Sequence, residues 1–130
     1  MKIQIDFRSG KPIYLQIIDQ IRLMIAHGEL RPGDQLPTVR QLATDLRVNF
    51  NTVARAYRLL DEAGLISTQH GRGTYVWEAP SEEATRQLRS HSLHDQTTHF
   101  IQELVKLGYS MSEIQTEFEM VMDTEKERLT

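Results

Sequence analysis

The side chains with the clearest chemistry cluster around residue 50. They are Asn49, Phe50, Asn51, Thr52, Arg55 and Arg58. Asn, Thr and Arg side chains can hydrogen-bond to base edges, and Arg can also bind phosphate. Apolar residues from Val53 to Leu60 recur among them at helical spacing, so the polar side chains face outward from an anchored helix. This pattern is typical of a DNA-recognition helix, whose N-terminal residues contact bases, and a solvated helix face is the alternative interpretation.

Two further places can contact a polyanion. Arg40 lies on the polar side of a short predicted helix that would cross a DNA backbone, which places it near a phosphate. His70, Gly71 and Arg72 form a glycine-containing segment whose backbone can approach a groove closely, and Arg72 can then enter the minor groove. The alternatives are a plain surface arginine and an ordinary hairpin turn.

Other chemistry has little support in the sequence. Cysteine is absent, which excludes thiolate nucleophiles and disulfides. His91, Asp95 and His99 recur every four residues, a spacing that can bind a divalent metal, but Asp–His pairing on a solvated helix face is the interpretation we favour. Neither a phosphate-binding glycine loop nor a Gly-x-Ser-x-Gly elbow is present. We therefore predict no enzyme activity, no catalytic residue, no bound metal and no cofactor.

Helical periodicity defines the elements that must carry these residues. Three helices are predicted, over residues 12–27, from Thr38 to about Leu46 and from Asn49 to about Ala63. Pro12 suits a first helical turn, Thr38 and Asn49 are N-cap residues, and Gly28 and Gly64 suit helix ends. Residues 29–37 are predicted to be a loop. Two short helices that follow a longer one form the helix-turn-helix pattern.

The remaining residues predict a wing and a helical hairpin. Residues 65–68 and 74–77 are predicted strands joined by a glycine-containing turn, and we expect the side chains of 74–77 to form the wing core. A long helix over 81–107 and a last helix capped at Ser110 follow. The predicted fold class is mainly α with a small β-hairpin. A winged helix-turn-helix domain (1–77) precedes a two-helix dimerisation region (78–130).

Charge and size separate these two parts. Residues 1–77 hold ten Lys or Arg and seven Asp or Glu, for a net +3, whereas residues 78–130 carry a net −6. The positive part can face a polyanion that would repel the acidic part. A hairpin of about 50 residues cannot bury both of its apolar stripes alone, so we expect a second copy of the chain to cover them. No long apolar stretch or signal core is present, and we expect a cytoplasmic protein with no membrane contact.

The order of the motifs resembles the GntR family of bacterial regulators. Residues 28–43 read GELRPGDQLPTVRQLA, and the similarity continues through 49–57 (NFNTVARAY), 64–66 (GLI) and 71–76 (GRGTYV). The resemblance covers about residues 10–77. It implies a winged helix-turn-helix that binds double-stranded operator DNA as a dimer. The DNA contacts it implies fall on Arg40, Asn49, Asn51, Thr52, Arg55, His70, Gly71 and Arg72.

Two features distinguish this chain within that family. Phe50 stands where many members carry an arginine, so we expect Phe50 to contact a thymine methyl group or a sugar. The short two-helix C-terminal region resembles the YtrA-type subfamily of small dimeric repressors. We therefore expect a homodimeric repressor that binds an inverted-repeat operator.

Three alternatives stay open at this point. The first is a ligand- or metal-responsive regulator whose effector site lies in the C-terminal helices. The second is a small enzyme that uses the histidines, and the third is a winged helix that binds only protein. The sequence does not give the operator, the regulated genes, an effector, the sign of regulation or a swap of the C-terminal helices.

Overall fold

The computed structural model describes residues 1–77 and 82–130, and these residues form five helices and three strands. In chain order they are α1 (Ile13–Ala26), β1 (Gln35–Leu36), α2 (Val39–Leu46), α3 (Phe50–Glu62), β2 (Ile66–Gln69), β3 (Gly73–Val76), α4 (Glu82–Lys106) and α5 (Met111–Leu129). The chain forms two compact units, Met1–Gln96 and Thr97–Thr130. The start of the predicted second domain, 78–81, lies outside the described residues, and the functional division into 1–77 and 78–130 stays a prediction.

Apolar packing between α1 and α3 forms the centre of the first unit. The fully buried side chains are Leu15, Ile17, Ile18, Ile21, Val53, Leu60 and Ile66. The stripe of α3 that sequence periodicity predicts, Val53 to Leu60, is therefore confirmed as the anchored face of that helix. The opposite side of α3 faces outward, so the polar side chains that the sequence analysis singles out on this helix also face outward.

Side-chain caps fix where α2 and α3 begin. The Thr38 hydroxyl accepts a hydrogen bond from the Gln41 backbone N–H at 3.0 Å, and Gln41 Oε1 accepts one from the Thr38 N–H at 2.9 Å. Asn49 Oδ1 accepts a hydrogen bond from the Asn51 N–H at 2.7 Å. Both predicted N-caps are confirmed. Arg47 adopts a left-handed conformation, φ 57°, and ends α2 in the tight turn of the helix-turn-helix.

The wing is a sheet of three strands. The predicted hairpin is present, but the prediction that residues 29–37 form only a loop was wrong. Strand β1 lies inside the predicted loop 29–37 and pairs antiparallel with β3, giving the order β1-β3-β2. The pairing is extended by the Val76 N–H, which donates to the Asp34 carbonyl oxygen at 2.9 Å. Buried Leu36 anchors β1 in the core. A strand of two residues is too short to show an alternating pattern.

Burial along β3 alternates as expected for a strand with one buried face. Thr74 and Val76 are buried, but Trp77 is 46% exposed, so the expectation that Trp77 belongs to the wing core was wrong. Trp77 follows the last residue of β3, and its N–H still donates to the Leu65 carbonyl oxygen at 3.1 Å, while its side chain is exposed. Gly73 has φ +111°, and a Cβ there would lie 2.7 Å from the Gln35 Nε2 atom. Because the Gln35 amide is the end of a flexible side chain that can move aside, the positive φ is what favours glycine where β1 closes on β3.

The second compact unit is a hairpin built from the end of α4 and from α5. The Ser110 hydroxyl accepts a hydrogen bond from the Glu113 N–H at 3.1 Å, and the Glu113 carboxylate accepts one from the Ser110 N–H at 3.0 Å. This confirms the predicted capping box, and the backbone bond to Ser110 lowers the pKa of Glu113. The rings of Phe100 and Phe118 meet edge to face at 5.6 Å. Across the described ranges, no helix is both long and apolar enough to cross a membrane.

A buried carboxylate joins α4 to α1 within the first unit. Asp19 accepts hydrogen bonds from the Ser92 hydroxyl at 2.9 Å and from Gln96 Nε2 at 3.2 Å. Lys11 Nζ lies 2.7 Å from the same carboxylate. The Ser92 hydroxyl is itself buried and also accepts a hydrogen bond from Gln96 Nε2 at 2.9 Å. Asp19 is the acceptor that its proton needs.

We expect Asp19→Ala to destabilise the fold by about 1–3 kcal/mol, because it leaves the buried Ser92 O–H without its acceptor. Ser92→Ala is the matched control. It should cost less, since Asp19 keeps Lys11 and Gln96 as partners. Urea unfolding at one fixed protein concentration measures both. Equal losses for the two variants would contradict the role given to Asp19.

Candidate nucleic-acid interface

The first turn of α3 presents the polar set that the sequence singles out. Asn49, Asn51 and Arg55 are exposed and Thr52 is half-buried, all on the side opposite the packed stripe. Together with two residues of α1 they form an open depression of about 480 Å³, lined by Ile13, Tyr14, Asn49, Asn51, Thr52 and Arg55. Four of the predicted site residues are thus brought together. Arg58 is also exposed but does not line this depression.

Arg55 rests on an aromatic ring. Its guanidinium carbon lies 3.8 Å from the centre of the Tyr14 ring, a close cation–π contact. The Tyr14 hydroxyl donates a hydrogen bond to the Asp95 carboxylate on α4. Burial and this hydrogen bond raise the pKa of Tyr14 to about 12, so its hydroxyl keeps its proton at neutral pH.

Sequence reasoning missed this arrangement. Helical periodicity places Tyr14 on the apolar stripe of the first predicted helix, and the spacing of Asp95 indicates only a solvated face or a metal site. The two residues are 81 positions apart, and no spacing rule links them. An aromatic residue at the start of α1 that carries a polar group was the single available signal, since a buried Tyr hydroxyl needs a partner.

Arg40 and Phe50 also lie together. The Arg40 guanidinium is 5.9 Å from the centre of the Phe50 ring, and Phe50 is 49% exposed. A second open depression begins at this pair and is lined by Arg40, Ala43, Thr44, Val48 and Phe50. Methyl and ring carbons supply much of its wall. This is the kind of surface that a thymine methyl group or a deoxyribose can contact.

The wing tip holds its predicted residues on the surface. His70, Gly71 and Arg72 are exposed. The Arg72 N–H donates to the Gln69 carbonyl oxygen at 3.0 Å, and the Tyr75 hydroxyl donates to the Arg72 carbonyl oxygen at 2.7 Å. These bonds fix the backbone of the turn and leave the Arg72 side chain outward.

The arginines of this surface keep their charge uncompensated. Within residues 1–77 and 82–130, no carboxylate pairs with the side chains of Arg40, Arg55, Arg58 or Arg72. Elsewhere in the described ranges, Arg22, Arg86 and Arg128 each have a carboxylate partner, whereas Arg8, Arg31, Arg47 and Arg89 do not. Unpaired guanidinium groups on an anchored scaffold favour a polyanionic partner.

A buried tyrosine fixes the position of α3 relative to the residues that precede α2. The Tyr57 hydroxyl donates a hydrogen bond to the Pro37 carbonyl oxygen at 2.7 Å, and burial raises the pKa of this side chain. Pro37 directly precedes the capped start of α2. The sequence-based assignment of Tyr57 to the core is confirmed.

The histidines of α4 do not assemble a metal site among the described residues. His91 Nε2 lies 3.4 Å from the Asp95 carboxylate, so the two side chains are neighbours as predicted, but no hydrogen bond joins them within the described residues. His99 does not join them, and no three metal-ligating side chains converge in the ranges that the structure covers.

Known proteins decide the family to which this chain belongs. The family model for bacterial regulatory proteins of the gntR family matches residues 13–76. YhcF of Bacillus subtilis, an uncharacterised HTH-type transcriptional regulator, is 37% identical over 109 residues, which make up 84% of this chain and 88% of YhcF. The chain belongs to the GntR family. It is therefore a DNA-binding transcriptional regulator with the winged helix-turn-helix of that family.

Two further relatives of this GntR regulator are named YtrA. The HTH-type transcriptional repressor YtrA of Bacillus subtilis is 53% identical over 76 residues, which is 58% of either chain, so the match spans little more than half of that repressor. YtrA of Sulfolobus acidocaldarius, a GntR-family transcription factor of solved structure, is 37% identical with a TM-score of 0.54. That likeness covers 95% of this chain and 97% of the other. The predicted YtrA-like resemblance is confirmed.

Replacement of Asn49 by Asp distinguishes helix capping from DNA contact, because Asp can cap α3 but cannot take the place of Asn in a DNA contact. Asn49→Asp keeps an acceptor for the Asn51 N–H and suits the positive end of the α3 dipole. It also places a negative charge where phosphates would approach. We expect the thermal stability to be unchanged or higher. Binding to the duplex should be at least about tenfold weaker, because the phosphates repel the new carboxylate. Fluorescence anisotropy and thermal unfolding measure the two effects, and unchanged affinity would remove Asn49 from the interface.

Proposed function

We propose that this GntR regulator represses transcription by binding an inverted-repeat operator as a homodimer, in the cytoplasm and without enzymatic activity. The observation that carries the DNA part is the outward face of an anchored α3. This face presents exposed amides together with arginines that have no carboxylate partner among the described residues. Repression is supported by the name of the Bacillus subtilis relative, a transcriptional repressor. We propose the cytoplasm as the location of this regulator because it must reach operator DNA.

Each part of the surface has a distinct role in this proposal. The N-terminal turn of α3 enters the major groove, where Asn49, Asn51, Thr52 and Arg55 contact base edges. Arg40, at the start of α2, and Arg58, further along α3, contact phosphates, which fix the orientation of the domain. Phe50 contacts a thymine methyl group or a sugar. At the wing, Arg72 enters the minor groove, with His70 and Gly71 against the backbone.

The C-terminal unit supports the homodimer. Among its apolar residues, Ile114 is the buried one, and a groove of about 510 Å³ runs between its helices. The groove is lined by Phe100, Leu104, Tyr109, Glu113, Ile114, Glu117, Phe118 and Val121. Further large apolar side chains of this unit are exposed, including Met111 and Met120 at 61% each. An apolar surface of this kind needs a partner, and a second copy supplies a matching face by symmetry.

Selection from a random duplex pool tests the proposed operator. We expect enrichment of a two-fold repeat whose half-sites lie about one helical turn, roughly 10 base pairs, apart or a multiple of that. Binding to the selected duplex should weaken steeply with salt, with a log–log slope of roughly −0.9 per phosphate contacted. Absence of any enriched repeat, together with weak binding at low salt, would contradict the proposal.

A charge in the apolar groove tests the dimer. Val121→Glu places a carboxylate on the groove wall, where Val121 is 48% exposed. We expect it to weaken self-association by at least about tenfold, because an unpaired charge would be buried in the interface. Thr116→Glu adds the same charge to the exposed side of α5 outside the groove and should leave the dimer unchanged. Sedimentation equilibrium measures both, and a Val121→Glu dimer as strong as the parent would show that this groove is not the interface.

A further inference from the structure

We propose that Tyr14 is a positioning residue for DNA binding, which holds the Arg55 guanidinium in its reading position while the Asp95 carboxylate on α4 holds Tyr14. The proposal rests on the proposed contact between Arg55 and DNA. It adds two residues, on α1 and α4, that lie outside the helix-turn-helix and its wing.

The first step is the contact between Arg55 and the ring. Arg55 is an exposed residue whose guanidinium carbon lies 3.8 Å from the Tyr14 ring centre. Within the described residues, Arg55 forms no ion pair with a carboxylate. A guanidinium group that stacks its face on a ring keeps the N–H donors in its plane available for bases or phosphate, and a Cζ only 3.8 Å from the ring centre suits such stacking.

The second step is the entropy of a long side chain. A free arginine loses rotamer entropy when it is fixed by a ligand. A side chain that already rests on a ring in the unbound protein loses less on binding, and its affinity for DNA is correspondingly higher. Tyr14 is suited to this task because it is only 7% exposed and lines the same depression as Asn51 and Thr52.

The third step is the anchor. The Tyr14 hydroxyl donates to Asp95, and this bond to a carboxylate increases the electron density of the ring face that Arg55 contacts. Asp95 also has His91 Nε2 at 3.4 Å. The carboxylate therefore lies between α1 and a histidine of its own helix. A phenylalanine at position 14 would keep the ring and lose this anchor, whereas a leucine would keep only apolar volume.

A double-mutant cycle on the selected duplex tests the proposal. It compares Tyr14→Leu in the parent and in the Arg55→Ala background. We expect Tyr14→Leu to weaken binding about 3- to 30-fold more when Arg55 is present, which is the range that a cation–π contact supplies. The same cycle with Arg58→Ala is the matched control, and there the two losses should multiply. A purely structural role of Tyr14 would weaken binding equally in every background.

Two further readouts keep the test decisive. Thermal unfolding of each variant establishes that it is folded, and if Tyr14→Leu is not, Tyr14→Phe and Asp95→Ala replace it in the same cycle. Both should weaken binding in the parent and have little effect in Arg55→Ala. Equal losses with and without Arg55 would overturn the positioning role. If Arg55→Ala itself leaves affinity unchanged, the proposed contact of Arg55 with DNA fails instead, which separates the two failures.

Discussion

Burial of one side of α3 against α1 is the interaction on which the rest of the structure depends. Val53 and Leu60 have no exposed surface, and neither do Ile17 and Ile18 of α1. Dense packing of this kind allows one rotational setting of the helix, since any other would expose these residues. The polar first turn of α3 is consequently held outward. An interface that reads bases needs this rigidity, because a contact misplaced by an ångström loses most of its discrimination.

Polar contacts define the position of α4 on α1, which apolar packing alone would leave undefined. The Asp19 carboxylate holds Ser92 and Gln96 of α4, and Asp95 of α4 holds the Tyr14 hydroxyl. Hydrogen bonds have defined lengths and directions, so these pairs set the register of α4 on α1 where an apolar seam could slide. One consequence reaches the nucleic-acid surface, because Tyr14 supports Arg55. The contacts that stabilise the first unit and those proposed to read DNA therefore meet at one residue.

The sequence was sufficient for the elements that local rules govern. Helical periodicity, N-cap residues and glycine ends predicted the helices to within a few residues, and the outward set on α3 follows from the same periodicity. No local rule of this kind predicts contacts between segments that are distant in the sequence. Strand β1 is defined by its pairing with β3, and Gln16 and Gln20 bind the backbone of the N-terminal segment at Asp6 and Gln4. The Tyr14–Asp95 pair is of the same type.

In the proposed complex, DNA contacts the first turn of α3, the start of α2 and the wing tip. Chemical-shift mapping of ¹⁵N-labelled protein, titrated with the selected duplex, tests these contacts residue by residue. We predict the largest backbone changes at residues 38–40, 49–55 and 70–72, together with a shifted Arg55 Nε resonance. Residues 97–130 should change little. Changes concentrated in residues 97–130, with residues 49–55 unperturbed, would contradict the account.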